Sequence, residues 1–419
     1  MIENGLIELP KGWKWSKLGD ACEIVSGSTP KGLESISNTG QFQFYKVSDM
    51  NLEGNEIRMI SSNTKLTSEE MRALKLKVYP EGTVIFPKRG GAILTNKKRV
   101  LSHSSSFDLN LMGVLPNEAV LSKFLFYWFQ KLDLGKICDG SNVPQINNKN
   151  IVPLDFPIPP LEIQEIIISK IEELLSELDK GIENLKMAQQ QLKVYRQAVL
   201  KWAFEGRLTN ENVKAGELPV GWKWVTLDSV SEKITDGEHF RPPTQFSGIP
   251  FLSAKDVRDE GVSFVDPLFI SNETAKKALL RCKPSRGDIL IVSRGATVGR
   301  MCIVNTDRTF CLLGSVILIK SNQLINSKFL CHILKSPLAN QKMISVSGAT
   351  AQQAIYLRDI KNIIIPLPSL KDQDQIILEI ESRLSVVDKM EESINQSLQQ
   401  AEVLRQSVLK RAFEGDLLL

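Results

Sequence analysis

Apolar residues recur at alternating intervals of three and four along two long stretches of the chain. In the first stretch they are Ile171, Leu174, Leu178, Leu185, Ala188, Leu192, Tyr195, Val199 and Trp202. In the second stretch they are Ile380, Val387, Met390, Ile394, Ala401, Leu404 and Val408. Such spacing is typical of a coiled-coil seam rather than of the broad apolar face of a globular helix. The pattern predicts two long helices that pack against each other along these seams.

Start and stop signals flank both predicted helices. Prolines begin each helix, and Gly206 and Gly415 stand where a left-handed C-terminal cap is expected. Gly181 leaves one seam position unfilled, which marks either a local weakness or a close approach of the two helices. About 45 helical residues extend roughly 68 Å, which is longer than a small domain is wide. Each helix is therefore the natural partner of the other, and separate packing in two local cores is the alternative.

The segments outside the long helices show short strand-like runs broken by Gly, Asn, Ser and Asp, and each contains one further helix. The strand-like runs cover residues 41–47, 83–86, 289–292 and 316–319, and the helices cover residues 122–131 and 327–336. We therefore expect α/β (α+β) globular bodies. The aromatic run FLFYWF from Phe124 has helical spacing and is expected in the core rather than on a stacking surface.

The chain is a tandem duplication. LPKGWKW at Leu9–Trp15 recurs as LPVGWKW at Leu218–Trp224, an offset of 209 residues. LKVYRQAVLKWAFEGRL recurs as AEVLRQSVLKRAFEGDL at the same offset, with 11 of 17 positions identical. The predicted domains are a first body (1–156), a first long helix (157–208), a linker (209–217), a second body (218–365) and a second long helix (366–419).

The two bodies differ more than the two helices. The offset falls to 207 at Asp49 and Asp256 and to 205 at Arg89 and Arg294, so insertions and divergence concentrate in the bodies. The linker of about ten residues reaches only about 16 to 19 Å as a flexible coil. The second body is therefore expected near the far end of the first helix. Two paired helices would then run antiparallel, with the bodies at opposite ends and related by a pseudo-two-fold axis.

Charge is distributed unevenly, although the formal net charge is only +4. Residues 160–206 include eight acidic and six basic side chains, and residues 369–415 include nine and six. The helices thus carry −2 and −3, which leaves +9 on the rest of the chain. Basic residues cluster around two Gly-containing strand–turn regions, at Arg89-Gly90 and Arg294-Gly295. An arginine fork in such a loop can contact guanine O6 and N7, and a solvated basic surface is the alternative.

Motifs that would indicate catalysis are missing from the sequence. The chain has no GxxxxGK[ST] or GxGxxG run, no GxSxG elbow and no [DN]PP[YF] run. The histidines and cysteines form no HxxxH, HExxH or CxxC pattern, so we expect reduced structural thiols and no metal site. The apolar runs are too short to span a bilayer and the N-terminus has no secretory signal, which predicts a cytoplasmic protein. The chain is expected to bind rather than to catalyse.

Three paired features resemble the specificity subunit (S, or HsdS) of type I restriction-modification systems. They are the LPxGWKW openings, the proline-containing helix starts with Gln164 and Gln373, and the AFEG endings at residues 203–206 and 412–415. The resemblance covers essentially the whole chain. It implies two target recognition domains, each reading one half of a bipartite DNA target, held apart by the helices. Because the two bodies differ in sequence, the target should be asymmetric.

The resemblance also implies partners. Modification subunits would bind the chain and carry S-adenosylmethionine chemistry, and restriction subunits would use ATP and magnesium to translocate and cleave double-stranded DNA. None of that catalysis would belong to this chain. A coiled-coil adaptor whose bodies bind protein is the alternative function, and an unrecognised nuclease is a third.

Under the DNA interpretation, phosphate contacts supply affinity and base contacts supply specificity. The predicted DNA-binding residues of the first body are Lys88, Arg89, Lys97, Lys98 and Arg99. Those of the second body are His239, Arg241, Arg294 and Arg300. The segment 236–242 that contains His239 and Arg241 could equally be a structural turn. Gln145 and Gln353 are weaker candidates, because either could tether the loop that enters the long helix.

Overall fold

The chain forms two compact units in the computed structural model, which describes residues 8–210, 212–214, 216–346 and 353–418. The first unit comprises residues 1–185 and 396–419, and the second comprises residues 186–395. Each unit contains one body and about half of each long helix. The units therefore divide both helices, whereas the predicted boundaries at residues 157 and 366 separate each body from its helix.

Within its described residues, from residue 8 onward, the first body has ten short strands and five short α-helices. Its strands are β1 (Lys14–Lys17), β2 (Cys22–Ser26), β3 (Phe42–Tyr45), β4 (Arg58–Met59), β5 (Lys65–Leu66), β6 (Val84–Pro87), β7 (Arg99–Leu101), β8 (Ser106–Phe107), β9 (Leu111–Pro116) and β10 (Asp155–Ile158). Its helices are α1 (Leu18–Ala21), α2 (Ser68–Ala73), α3 (Ser122–Lys131), α4 (Leu134–Ile137) and α5 (Asn148–Ile151). The first long helix, α6 (Leu161–Phe204), follows.

The described residues of the second body form a similar but not identical series of elements. Its strands are β11 (Lys223–Thr226), β12 (Ser231–Asp236), β13 (Ile249–Leu252), β14 (Val257–Arg258), β15 (Gly261–Val262), β16 (Leu268–Ile270), β17 (Ile289–Val292), β18 (Met301–Ile303), β19 (Cys311–Leu312), β20 (Val316–Ser321), β21 (Ser345–Val346), β22 (Gln353–Ala354) and β23 (Ile364–Leu367). Its helices are α7 (Asn272–Arg281), α8 (Ser327–Lys335), α9 (Pro337–Met343) and α10 (Leu357–Lys361), and the second long helix is α11 (Leu370–Glu414). The mixed α/β prediction for the bodies is confirmed.

The two bodies share the order of four strands in the larger sheet. That order is β2-β9-β6-β7 in the first body, where β4 adds a fifth strand, and β12-β20-β17-β18 in the second. A three-stranded sheet accompanies it, β5-β3-β8 in the first body and β16-β13-β19 in the second. In each body a strand from the LPxGWKW opening pairs with the strand that precedes the long helix, β1 with β10 and β11 with β23. The repeat seen in the sequence is thus a repeat of topology.

Each long helix begins later than predicted. Pro157 and Ile158 belong to β10, and the helix starts at Leu161. Pro366 and Leu367 likewise belong to β23, and α11 starts at Leu370. The prolines are compatible with these positions because an edge strand leaves some backbone N–H groups unpaired.

The two long helices run antiparallel within each unit. In the second unit, Arg196 of α6 bonds Asp388 of α11 over 2.5 Å and Glu391 over 3.2 Å. In the first unit, Arg405 of α11 bonds Asp179 of α6. Arg405 and Asp388 lie 209 residues after Arg196 and Asp179, so the same interhelical ion pair occurs once in each unit. The predicted antiparallel pairing is confirmed inside both units.

The predicted seam of α6 is confirmed at eight of its nine positions, which are buried or half-buried. The exception is Tyr195, which is 37% exposed. Ile182 is half-buried and occupies the position that Gly181 was expected to leave open. A Cβ atom at Gly181 would meet no described atom within 4 Å, so this glycine does not mark a close helix approach. The half-buried positions in the middle of the helix include Leu175, Leu178, Ile182, Leu185, Gln189, Leu192 and Arg196.

Polar residues also enter the seam of α11. Met390 and Leu404, predicted as seam positions, are 50% and 53% exposed. The adjacent residues Glu391 and Arg405 are the half-buried ones. Each of these faces a group of opposite charge on α6, which explains why a polar side chain is tolerated there.

Helix α3 supplies the largest side chains of the first core. Phe124, Trp128 and Phe129 are at most 2% exposed, and the ring of Phe124 lies 5.0 Å from that of Phe413 in α11. The expectation that this aromatic run is core is confirmed. None of the six cysteines forms a disulfide, as predicted.

The glycines that end the long helices have the expected left-handed backbone. Gly206 has φ +73° and Gly415 has φ +87°. A side chain on Gly206 would collide with Pro219, and one on Gly415 would collide with Pro10. Each LPxGWKW opening therefore packs on a helix ending, and the opening of the first body packs on the ending of the second helix.

Candidate nucleic-acid interface

Two strands of the first body end at the same edge of the larger sheet. Strands β2 and β6 both run antiparallel to β9, with Ser26 opposite Met112 and Pro87 opposite Leu111. The loops that follow them, residues 27–41 and 88–98, therefore leave the sheet together. Lys88 joins the two strand ends directly, because its Nζ donates to Ser26 Oγ over 2.8 Å. We call this the first-body edge.

The second body has a corresponding edge. Strands β12 and β17 both run antiparallel to β20, with Asp236 opposite Ile317 and Val292 opposite Val316. Residues 237–248 and 293–300 leave the sheet there. We call this the second-body edge.

A third segment meets each edge. The backbone of Gln145 pairs with that of Arg89, and the backbone of Ala354 pairs with that of Arg294. The segments that contain Gln145 and Gln353 thus lie beside the two arginines, as a tethering role would require. The side chain of Gln353 lies outside the described residues.

Arg89 and Arg294 are exposed at matching positions on the two edges. Each follows a buried strand and precedes a glycine with positive φ, Gly90 at +71° and Gly295 at +99°. Lys88 is half-buried beside Arg89, and its pKa is lowered by burial and then by the neighbouring guanidinium. The structure therefore presents an exposed arginine at this matching position of each edge, in the loop that the sequence indicated.

Three other basic residues of the first body point elsewhere. Lys98 is 1% exposed, and its ammonium donates to the carbonyl oxygen of Leu132 over 2.6 Å. Burial lowers the pKa of Lys98 to about 8. Arg99 donates from Nε to the carbonyl of Asn55 over 2.5 Å, and Lys97 bonds the Asn51 side chain. Lys98 and Arg99 thus bond backbone carbonyls within the fold, because a charged group in the interior needs such partners. Neither is placed to contact DNA, contrary to the prediction.

Arg99 and Arg300 instead line cavities beside the long helices. The first-unit cavity has a volume of about 470 Å³ and is lined by Arg99, Tyr127 and Arg405 among others. The second-unit cavity, of about 540 Å³, includes Arg300 and His332. Tyr127 and His332 occupy the same position of α3 and α8, so the two cavities are related by the repeat. The prediction that Arg300 lies with Arg294 at a DNA contact has no support from this placement.

His239 and Arg241 lie on the loop of the second-body edge, and both are exposed. The His239 ring is held at its Nε2, which lies 2.6 Å from Nη2 of Arg281. The same Arg281 nitrogen donates to Asp236 over 2.5 Å. Arg281 therefore fixes the base of the loop, and the exposed guanidinium of Arg241 extends beyond it.

Two phenylalanines of this loop were not among the predicted contacts. Phe240 is 87% exposed and Phe246 is 105% exposed. The sequence FRPPTQF does carry a signal for them, because aromatic residues in a run with two prolines and few apolar neighbours cannot reach a core.

Among the described residues, no group of three or more His, Cys, Asp and Glu side chains is placed to hold a metal ion. Within those same ranges, no helix has the length and apolar content to cross a membrane.

Comparison with known proteins gives a consistent result. The family model for the type I restriction modification DNA specificity domain matches residues 10–187 and 219–402. The EcoBI specificity subunit of Escherichia coli is 30% identical over 99% of this chain and 88% of its own length. The EcoKI specificity subunit of Escherichia coli strain K12 is 25% identical over 98% of this chain and 90% of its own length.

Solved structures show the same fold. A chain from a study of complex assembly and conformational transition of the type I R-M system superposes with a TM-score of 0.75 at 23% identity, covering 98% of this chain and all of that one. The HsdS subunit from Thermoanaerobacter tengcongensis superposes with a TM-score of 0.62 at 22% identity, covering 99% of each chain. With both bodies matched by the family model and the duplicated topology shared, the chain belongs to the family of type I restriction-modification DNA specificity subunits.

Proposed function

We propose that this chain is the non-catalytic, DNA-reading subunit of a cytoplasmic type I restriction-modification complex. Each body reads one half of a bipartite, asymmetric double-stranded DNA target, and the paired helices set the spacing of the halves and hold modification subunits. Restriction subunits join the same complex. S-adenosylmethionine, ATP and magnesium serve those partner subunits rather than this chain.

One observation carries the proposal: two edges of the same topology each present an exposed arginine, Arg89 or Arg294, beside loops that differ in sequence. An arginine fork reads guanine in the major groove, and the differing loops make the two half-sites different. Within one chain, the two repeats share a scaffold and differ in their edge loops. This combination suits a protein that reads two unlike sequences in the same way.

Reconstitution with modification subunits tests the proposal. Methylated positions mapped in genomic DNA should define two unlike half-sites at a fixed separation. Methylation without a bipartite preference would refute it. DNA affinity measured against salt should fall steeply, as phosphate contacts require, whereas a protein-binding adaptor would show no such slope.

Substitution of the two arginines refines the test. Arg89→Ala and Arg294→Ala should each relax discrimination at one half-site by about 1 to 3 kcal/mol if the contact is to a base. Uniform weakening on all sequences would assign that arginine to phosphate. Matched controls are Arg58→Ala and Arg286→Ala, because both side chains are exposed and already paired with an acidic residue. Arg286 lies before β17, at the end opposite Arg294.

A further inference from the structure

The loop at residues 237–248, which we call the aromatic loop, exposes two phenylalanine rings to solvent. Phe240 and Phe246 are 87% and 105% exposed, while Phe251, Phe310 and Phe329 of the same body are at most 1% exposed. Burial of an aromatic side chain is favourable, and a ring that stays exposed forgoes that stabilisation. Two rings left outside the core on one short loop therefore indicate a surface that is covered when a partner binds.

The aromatic loop is fixed at both ends. At its start, Glu238 N–H donates to the Leu312 carbonyl over 2.8 Å, and Gly314 N–H donates to the Glu238 carbonyl over 2.7 Å. At its far end, Gln245 N–H donates to the Phe269 carbonyl over 2.9 Å. Prolines 242 and 243 restrict the backbone between these points. The rings are thus presented by a constrained loop, which lowers the entropy lost when they bind.

The direction of the loop follows from the sheet. It leaves β12 at the second-body edge, the edge at which β17 ends and Arg294 is exposed. The exposed Arg241 lies between the two phenylalanines in sequence. The second-body edge thus carries Arg294 and is the start of a loop that contains Arg241 and both exposed rings. Apolar wedges and cations together can unstack and hold nucleic-acid bases.

The corresponding loop of the first body has no exposed aromatic rings. The corresponding loop, residues 27–41, contains no aromatic residue, and its apolar side chains turn inward, with Leu33 buried and Ile36 half-buried. The two edges therefore differ in chemistry as well as in sequence.

We propose that Phe240 and Phe246 contact unstacked bases in the half-site read by the second body, so that this half-site is recognised partly by deformation of the duplex and the other half-site is not. The inference rests on the proposed function. It assigns to the second body a preference for easily unstacked pyrimidine–purine steps, which cost the least to open.

Photo-crosslinking tests the contact directly. p-Benzoylphenylalanine is placed at residue 240 or 246 in the complex with modification subunits and a DNA duplex that carries the mapped target. We expect crosslinks to DNA within the second body's half-site. The control position is Leu324, which is 54% exposed in the same body. It follows β20 at the end of the sheet opposite the second-body edge, and it should give no DNA crosslink. Crosslinks to protein alone, or none, would overturn the proposal.

Alanine variants give a second, quantitative test. Phe240→Ala and Phe246→Ala should each weaken binding to the full target roughly 5- to 150-fold, the effect of one lost base stack. The loss should disappear when the second body's half-site is scrambled and persist when the first body's half-site is scrambled. Unchanged affinity, with Arg294→Ala still relaxing the same half-site, would refute the aromatic contact while leaving the proposed function intact. A wild-type complex that reads no bipartite site would instead refute the proposed function.

Discussion

Gln164 attaches the first long helix to its body, and its removal should destabilise the first unit strongly. The side chain is fully buried. Its Oε1 accepts the N–H of Leu121 over 2.8 Å, and its Nε2 donates to the carbonyls of Ala119 and Pro159 over 2.8 and 2.9 Å. One amide thus joins the first turn of α6 to the segment that precedes α3.

The size of the effect follows from these three bonds. Gln164→Met keeps the length of the side chain but leaves one backbone N–H and two carbonyls without their partner. An unsatisfied buried group costs about 1 to 3 kcal/mol. Of the three bonds only the one to the Pro159 carbonyl is fully buried, and the other two are partly buried, so the free energy of unfolding should fall by about 1 to 3 kcal/mol. Gln373 makes the equivalent three bonds to Asn326, Leu324 and Pro368. Gln373→Met should therefore have the same effect on the second unit.

Hydrogen exchange and denaturant unfolding together measure this effect. The Leu121 amide should exchange hydrogen much faster in Gln164→Met than in the wild type. Its exchange rate should not change in Gln375→Met, a control on the exposed face of α11. The control should change stability by less than about 0.5 kcal/mol. A loss below about 1 kcal/mol in Gln164→Met, with exchange at Leu121 unchanged, would refute the tethering role.

Three further outcomes are expected. Gly181→Ala should raise the free energy of unfolding by about 1 kcal/mol in thermal or denaturant unfolding, because the glycine lies in an exposed helix interior with open space around its Cα. Burial lowers the pKa of Lys98 to about 8, so above that pH the folded chain binds fewer protons than the unfolded chain. Stability should rise between pH 8 and about 9.5 more steeply in the wild type than in Lys98→Met, as measured by urea unfolding at several pH values. Burial likewise lowers the pKa of His332 to about 4, so stability should fall as pH drops from 6.5 towards 4. His332→Tyr, which copies Tyr127 of the first body, should remove that fall; an identical acid profile would contradict it.

Features set by short-range sequence were predictable. The prediction of left-handed caps at Gly206 and Gly415 was correct, because a helix that stops abruptly needs a residue that tolerates positive φ. The aromatic run in α3 was correctly assigned to the core, since its spacing matches one buried helix face. The three-and-four spacing of apolar residues correctly predicted both long helices.

Apolar spacing predicted most seam positions correctly, but not those at which a charged residue enters the seam. Arg196 and Arg405 are half-buried in the seam, and each is tolerated because the facing helix supplies an acidic partner. That information belongs to a pair of helices and not to either sequence by itself. Counting apolar residues therefore placed Met390 and Leu404 in the seam, although the structure exposes both.

The exposure of a basic residue was predictable where a residue type and a backbone position coincide. Arg89 and Arg294 are exposed in matching loops, each after a buried strand and before a glycine; their contact with DNA stays a prediction. Lys98 and Arg99 carry the same charge nine and ten residues after Arg89. Their side-chain N–H groups instead donate to backbone carbonyls within the fold. Composition counts basic residues without regard to direction, so it cannot separate a lysine that faces solvent from one that closes a core.

The two repeats have the same residues where each body joins its long helix, and they differ in the loops at the edge of the sheet. The joining residues Gln164 and Gln373 recur at an offset of 209, while Arg89 and Arg294 recur at 205. Four residues have therefore been gained or lost between the edge and the helix start without disturbing the tether. This is possible because the edge loops leave the sheet at strand ends, where a change in loop length costs little, whereas the tether is a buried amide with three fixed partners. A scaffold of this kind can change the sequence that one body reads while the attachment of both helices stays the same.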